Sequence, residues 1–176
     1  MGPLEGFCDV WGTEFLKQFY GLSHLTASSL PSTVFIGMCC GAPLLSFIAE
    51  KTKHYLGTIV GAGITMCVVF TLLVSGVLTV SSISFGFIIT GICCAYQIIA
   101  IYKASTYVPE HAAGLTTAIA NMIIMIFGYA FHSSIGAIIK YFGTSPEAFA
   151  YGISIIPIAL AIGVGGVGYL IVMDKK

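Results

Sequence analysis

The sequence predicts an all-α membrane protein: a polytopic bundle of five full transmembrane helices, preceded by the remnant of another. Three observations carry this. Of the 176 residues, 57% are hydrophobic and only 8% are charged, whereas a soluble domain carries about 25% charged residues. The charges also leave long gaps, with none between Lys17 and Glu50, Lys53 and Lys103, Glu110 and Lys140, or Glu147 and Asp174. A span needs about 20 apolar residues at 1.5 Å each. Three of the gaps therefore hold one span, and the gap from Lys53 to Lys103 holds two.

Residues 1–22 form a short mixed segment with Glu5, Asp9, Trp11 and Glu14 in it, too charged and too short to span alone. The first span, 23–49, contains Pro31 and Pro43, which are expected to kink it; neighbouring helices can satisfy the carbonyls that such prolines free. A polar loop, Glu50-Lys51-Thr52-Lys53-His54, follows. The second span is expected over 55–77, a turn at Thr79-Val80-Ser81-Ser82, and the third span over 84–102. Pro109-Glu110 and Pro146-Glu147 each place proline at a first helical position and an acid at the positive end of the helix dipole. Thr144 and Glu147 have the spacing of a capping box. These starts set the fourth span at 109–139, long enough to tilt or protrude, and the fifth at 146–173.

Lysine placement orients the bundle. Lys17 and Lys140 fall on one side; Lys51, Lys53, Lys103, Lys175 and Lys176 fall on the other. The five-lysine side is expected to be cytoplasmic, with the C-terminus inside. Five spans would then leave an acidic N-terminus outside, which is natural if residues 1–22 end a sixth helix that begins upstream.

Several classes drop out. The net charge is zero and no basic run occurs, so no phosphate-binding surface is expected and nucleic acid is not a partner. Glu5, Asp9 and Glu14 stand where a signal peptide would be cationic. The cysteines (Cys8, Cys39, Cys40, Cys67, Cys93, Cys94) lack C-x-x-C spacing and read as small packing residues. The histidines are scattered singly, and neither H-E-x-x-H nor G-x-S-x-G is present, so an enzyme, a metal site and a cofactor are not expected. Gly163-Val164-Gly165-Gly166-Val167-Gly168 matches G-x-G-x-x-G in letters, but a dinucleotide site needs a strand before it. Like Gly37-x-x-x-Gly41 and Gly57-x-x-x-Gly61, it reads as a helix face that lets backbones approach.

Polar groups within spans face a cavity or another helix. The candidates are Tyr96 and Gln97 on the third span and Asn121 and His132 on the fourth. Asn121, Met125, Gly128 and His132 recur at helical spacing and could share one stripe. Interhelical hydrogen bonding and a substrate or proton pathway both fit these residues, and His132 has the chemistry to titrate near neutral pH. Glu5 and Asp9, four apart, could serve a proton or cation, or could equally be a solvated helix end.

The segment from Gly37 through Gly41, Pro43, Ser46, Ala49, Glu50, Lys51 and Lys53 to His54 resembles the signature loop of the major facilitator superfamily, G-x-P-x-x-G-x-x-x-D-R-x-G-R. Gly41, Pro43 and Ala49 fit. Ser46 stands for the second glycine, Glu50 for aspartate and Lys51 for arginine, while the later glycine and arginine are missing. Lysine lacks the bidentate fork of arginine. Val108-Pro109-Glu110 through Gly114, Ala118 and Asn121-Met122 is similar to that family's eleventh helix and the loop before it, and Pro3 to Leu22 to the end of its seventh and its exit.

The resemblance implies helices eight to twelve after a remnant of helix seven: the C-terminal half of a secondary transporter, truncated or fragmentary. Such transporters carry a small solute by alternating access between two bundles. It further implies that Tyr96, Gln97, Asn121 and His132 face substrate and that Gly41, Pro43, Glu50, Lys51 and Lys53 form a cytoplasmic gating loop. The expected partners are membrane lipid, a solute once the other half is supplied, and a proton or cation as coupling ion. The expected location is the bacterial inner (plasma) membrane. The alternative is a non-transporting membrane subunit or scaffold.

Overall fold

The computed structural model describes Leu4 and residues 6–173. Every regular element among them is helical. A π-turn, Phe7–Trp11, runs directly into helix α1 (Gly12–Tyr20). The long α2 (His24–Thr52) and α3 (Tyr55–Val74) follow. Next come α4 (Val80–Cys94) and α5 (Tyr96–Ser105), nearly continuous, and a 3₁₀ turn (Glu110–Ala112) leading into α6 (Ala113–Phe142). Finally, α7 (Pro146–Ile153) leads into α8 (Ile155–Met173). Counting joined segments together, five helices are long and apolar enough to cross a membrane: His24–Thr52, Tyr55–Val74, Val80–Ser105, Glu110–Phe142 and Pro146–Met173.

Local chemistry explains the ends. Ser23 caps α2 by accepting the Thr26 N–H at 3.3 Å, and Thr79 caps α4 by accepting the Ser82 N–H at 3.4 Å. A hydroxyl at the N-cap satisfies a donor that the helix itself cannot. Thr79 through Ser82 is therefore a helix start and not the expected turn; the chain turns earlier, at Gly76, whose φ is +75°. The cap before α7 is Ser145, accepting from Ala148 at 3.2 Å, and not Thr144, which has a positive φ of 49°. Pro146 sits in the first turn of α7, as its ring prefers. Pro109, in contrast, stays extended ahead of the 3₁₀ turn and is not a first helical residue. Pro31 and Pro43 lie inside an uninterrupted α2.

Two of these five long helices are interrupted. At Ala95 the ladder tightens to 3₁₀-type bonds, Ala95 N–H to Ile92 O (3.3 Å) and Ile98 N–H to Ala95 O (3.1 Å). The break at Ser154 is milder: its N–H still reaches Ala150 O at 2.9 Å.

Packing is densest between α2 and α4 and, second, between α3 and α8. In the first pair three glycines let the helices touch. A Cβ on Gly37 would overlap Ile88 O, one on Gly91 would overlap Val34 O, and one on Gly41 would stand 2.5 Å from Ile92 Cα. This agrees with the packing role expected of Gly37-x-x-x-Gly41. Gly57-x-x-x-Gly61 makes no such contact within the chain: Gly61 meets nothing, and Gly57 meets only the nearby His54. In α3 the close glycine is Gly63, against Val164 of α8. Gly163, Gly165, Gly166 and Gly168 all face open space. A glycine motif requires a partner helix, and here the partner chosen lies on another face.

At the centre Phe7 is fully buried, with its ring edge-on to Phe70 (5.2 Å) and Phe87 (5.6 Å) and 6.3 Å from Phe15. The N-terminal segment is thereby fastened into the core, and α1 also packs on α2 and α7.

Candidate functional site

The expected stripe on α6 divides in two. Its lower part is seated. The Trp11 indole stacks on the His132 ring at 5.6 Å and 30°, and its Nε1–H donates to the His132 carbonyl at 3.2 Å. Gly136, one turn on, makes room: a Cβ there would lie 2.9 Å from Trp11 Cζ2. A Cβ on Gly6 would lie 3.4 Å from the His132 backbone nitrogen, and Gly128 is buried. His132 is therefore the floor of an indole seat. Its Nδ1 is buried and makes no hydrogen bond with any described residue, a cost that buried polar atoms seldom carry.

The upper part is bare. Asn121 and Met125 are exposed, about 16 Å and 10 Å up the axis from His132 at 1.5 Å per residue. Of the most apolar stretch of Glu110–Phe142, only 11% is buried, against 50% for Val80–Ser105. One helix face is thus packed at one end and open at the other, with an amide in the middle of the open part.

Tyr96 and Gln97 follow the break at Ala95 and are both half-buried. Tyr96 lines a cavity of about 460 Å³ between α3, α5, α6 and α8. Asn121, Gln97 and His132 are absent from its wall, so the four candidates do not converge on one site. Gln97 Oε1 is buried without a hydrogen bond, as is Thr90 Oγ1. Thr90 was not singled out in the sequence; a lone threonine in an apolar run carries no signal that it will be buried unbonded.

Asp9 lies exposed on the π-turn, two residues before Trp11. Turns of this kind often mark functional sites. Glu5, its proposed companion, lies outside the described residues. In α1, Glu14 and Lys17 pair at 2.6 Å, and the Lys17 hydrogen bond holds the Glu14 carboxyl below its ordinary range. The Tyr20 hydroxyl donates to Leu73 O at 2.6 Å; desolvation there pushes the phenol upward.

The loop candidates separate by burial. Gly41 is buried between helices, while Pro43, Glu50, Lys51 and Lys53 are exposed. Lys51 Nζ stands 5.7 Å over the Phe47 ring. The only ion pair among the described residues is the one in α1, so none joins this loop to another described residue. Cysteines 39 and 40 are exposed, 93 and 94 are buried, and none of the six is in a disulfide. No group of three metal-ligating side chains occurs among the described residues.

A scan against protein-family models finds no match, and a search of curated proteins finds none either.

Proposed function

We propose that this chain is one bundle of a two-bundle secondary transporter of the major facilitator type, its C-terminal half, moving a small solute by alternating access. The observation that supports the reading most is α6. Together with the 3₁₀ turn before it, this helix is 33 residues long and apolar enough to span, buries little of itself within the chain and presents Asn121 on the bare side. An amide facing hydrocarbon is costly; against a second bundle it would border an aqueous pathway. The Ser28, Ser29, Ser32 and Thr33 hydroxyls on α2 bond back to their own helix, to the carbonyls of Leu25, Thr26, Ser28 and Leu30, and so need no packed partner. In this reading the protein lies in the bacterial inner membrane with its C-terminus cytoplasmic, and Asn121 and Asp9 are the polar groups nearest the pathway.

The test is affinity isolation from native membranes in mild detergent. The transporter reading expects a second multi-helix membrane segment with the chain, whether on the same polypeptide or separate. It also expects no solute counterflow from the 176-residue chain alone in liposomes. Recovery of one unrelated stoichiometric protein, or substrate-specific uptake by the chain alone, overturns it. A second reading, a non-transporting subunit or scaffold, is favoured by the open glycines at 61, 163, 165, 166 and 168, which could receive a partner helix.

A further inference from the structure

We propose that the cavity between α3, α5, α6 and α8 is a binding site for the acyl chain of a membrane phospholipid. It goes beyond the transporter reading and needs only that the long helices span a bilayer. The cavity lies between α6 and the α3–α8 pair. Those two are drawn together where Gly63 meets Val164, while Phe127 and Phe131 of α6 stand across the gap.

Three properties select the occupant. The first is chemistry: of all the lining side chains, only Tyr96 carries a polar atom, and none is charged. An ordered water needs two to four polar partners, so water is a poor filler and an ionic or sugar-like solute is excluded. The second is access. Ile123, Phe127 and Ile162 belong to the wall yet are 46%, 55% and 72% exposed, so the mouth opens sideways between α6 and α8, toward the hydrocarbon. The third is shape. The wall runs from residue 123 to 131 on α6 and from 159 to 167 on α8, roughly 12 Å of helix axis at 1.5 Å per residue. That slot, of about 460 Å³, runs along the helices, the direction in which a hydrocarbon chain lies along the bilayer normal. The volume lies within the range of about 300–1,000 Å³ common to ligand pockets.

The test uses the whole chain in liposomes of phosphatidylcholine whose acyl chain carries a mid-chain diazirine, with adducts mapped by peptide mass spectrometry. Adducts are expected to concentrate on Phe127, Phe131 and the segment around Gly163, well above the equally lipid-accessible Leu115 and Tyr169, each 65% exposed. Gly163→Phe, whose side chain enters the cavity from a position with nothing within 4 Å, should remove the labelling of Phe127 and Phe131. Gly166→Phe, also in open space but outside the wall, should leave it unchanged. Even labelling over all exposed positions of α6 and α8 overturns the proposal. So does labelling of Phe127 that survives Gly163→Phe, or adducts that are mainly between two copies of the chain.

Discussion

Gly91→Val is expected to cost the bundle about 3 kcal/mol or more, the upper end of what overpacking a filled interior costs. The first added methyl would occupy the position of Val34 O, and the Gly37 Cα lies 2.9 Å away. The obstacle is backbone, so no rotamer change relieves it and α2 and α4 must separate. Helices in lipid associate through close packing, since lipid tails are as apolar as the side chains they would replace. Losing this contact therefore removes the main adhesion of the most closely packed pair. Gly165→Val, where nothing lies within 4 Å, should change stability by less than about 0.5 kcal/mol, the range of ordinary surface changes. Unfolding titrations in mixed micelles, with both variants beside the parent, check the difference.

Phe7→Ala should be next in size, about 3–4 kcal/mol, as for other large-to-small changes at fully buried aromatics. The ring is 0% exposed and touches aromatics from three helices: Phe15 of α1, Phe70 of α3 and Phe87 of α4. Edge-to-face aromatic pairs add about 0.5–1.5 kcal/mol each beyond burial. The vacated space has three separate walls and cannot collapse by moving one of them. Val10→Ala, three residues on and 47% exposed, should be nearly neutral. The same titration applies, and limited proteolysis should show residues 1–20 cut faster only in Phe7→Ala.

The sequence carried the helices clearly, because its long charge-free gaps coincide with the five helices long and apolar enough to cross a membrane. It carried their interruptions poorly. The break at Ala95 has neither glycine nor proline beside it, and arises where the Tyr96 side chain meets a cavity formed by distant helices. Caps were legible as a class but not to the residue, because Thr144 and Ser145 are both competent and the choice depends on which takes the positive φ. Glycine pairs were the least reliable guide. Gly37–Gly41 and Gly57–Gly61 share the same spacing, yet only the first meets a partner, since spacing defines a helix face and topology decides what stands opposite. The candidate site was partly legible: Asn121 and His132 do lie on one helix, but the indole that claims His132 comes from a segment 121 positions away.

In the proposed reading, the bare face of α6 borders an aqueous pathway. Reactivity of Asn121→Cys with a membrane-impermeant maleimide, in membranes containing the intact protein, tests it directly. Ile162→Cys, 72% exposed on α8, serves as the lipid-facing reference, and adducts are assigned by peptide mass spectrometry. The thiol at 121 is expected to react many times faster than the one at 162, because thiolate chemistry requires water. Equal inertness at the two positions would contradict it, placing Asn121 in lipid or in a dry interface.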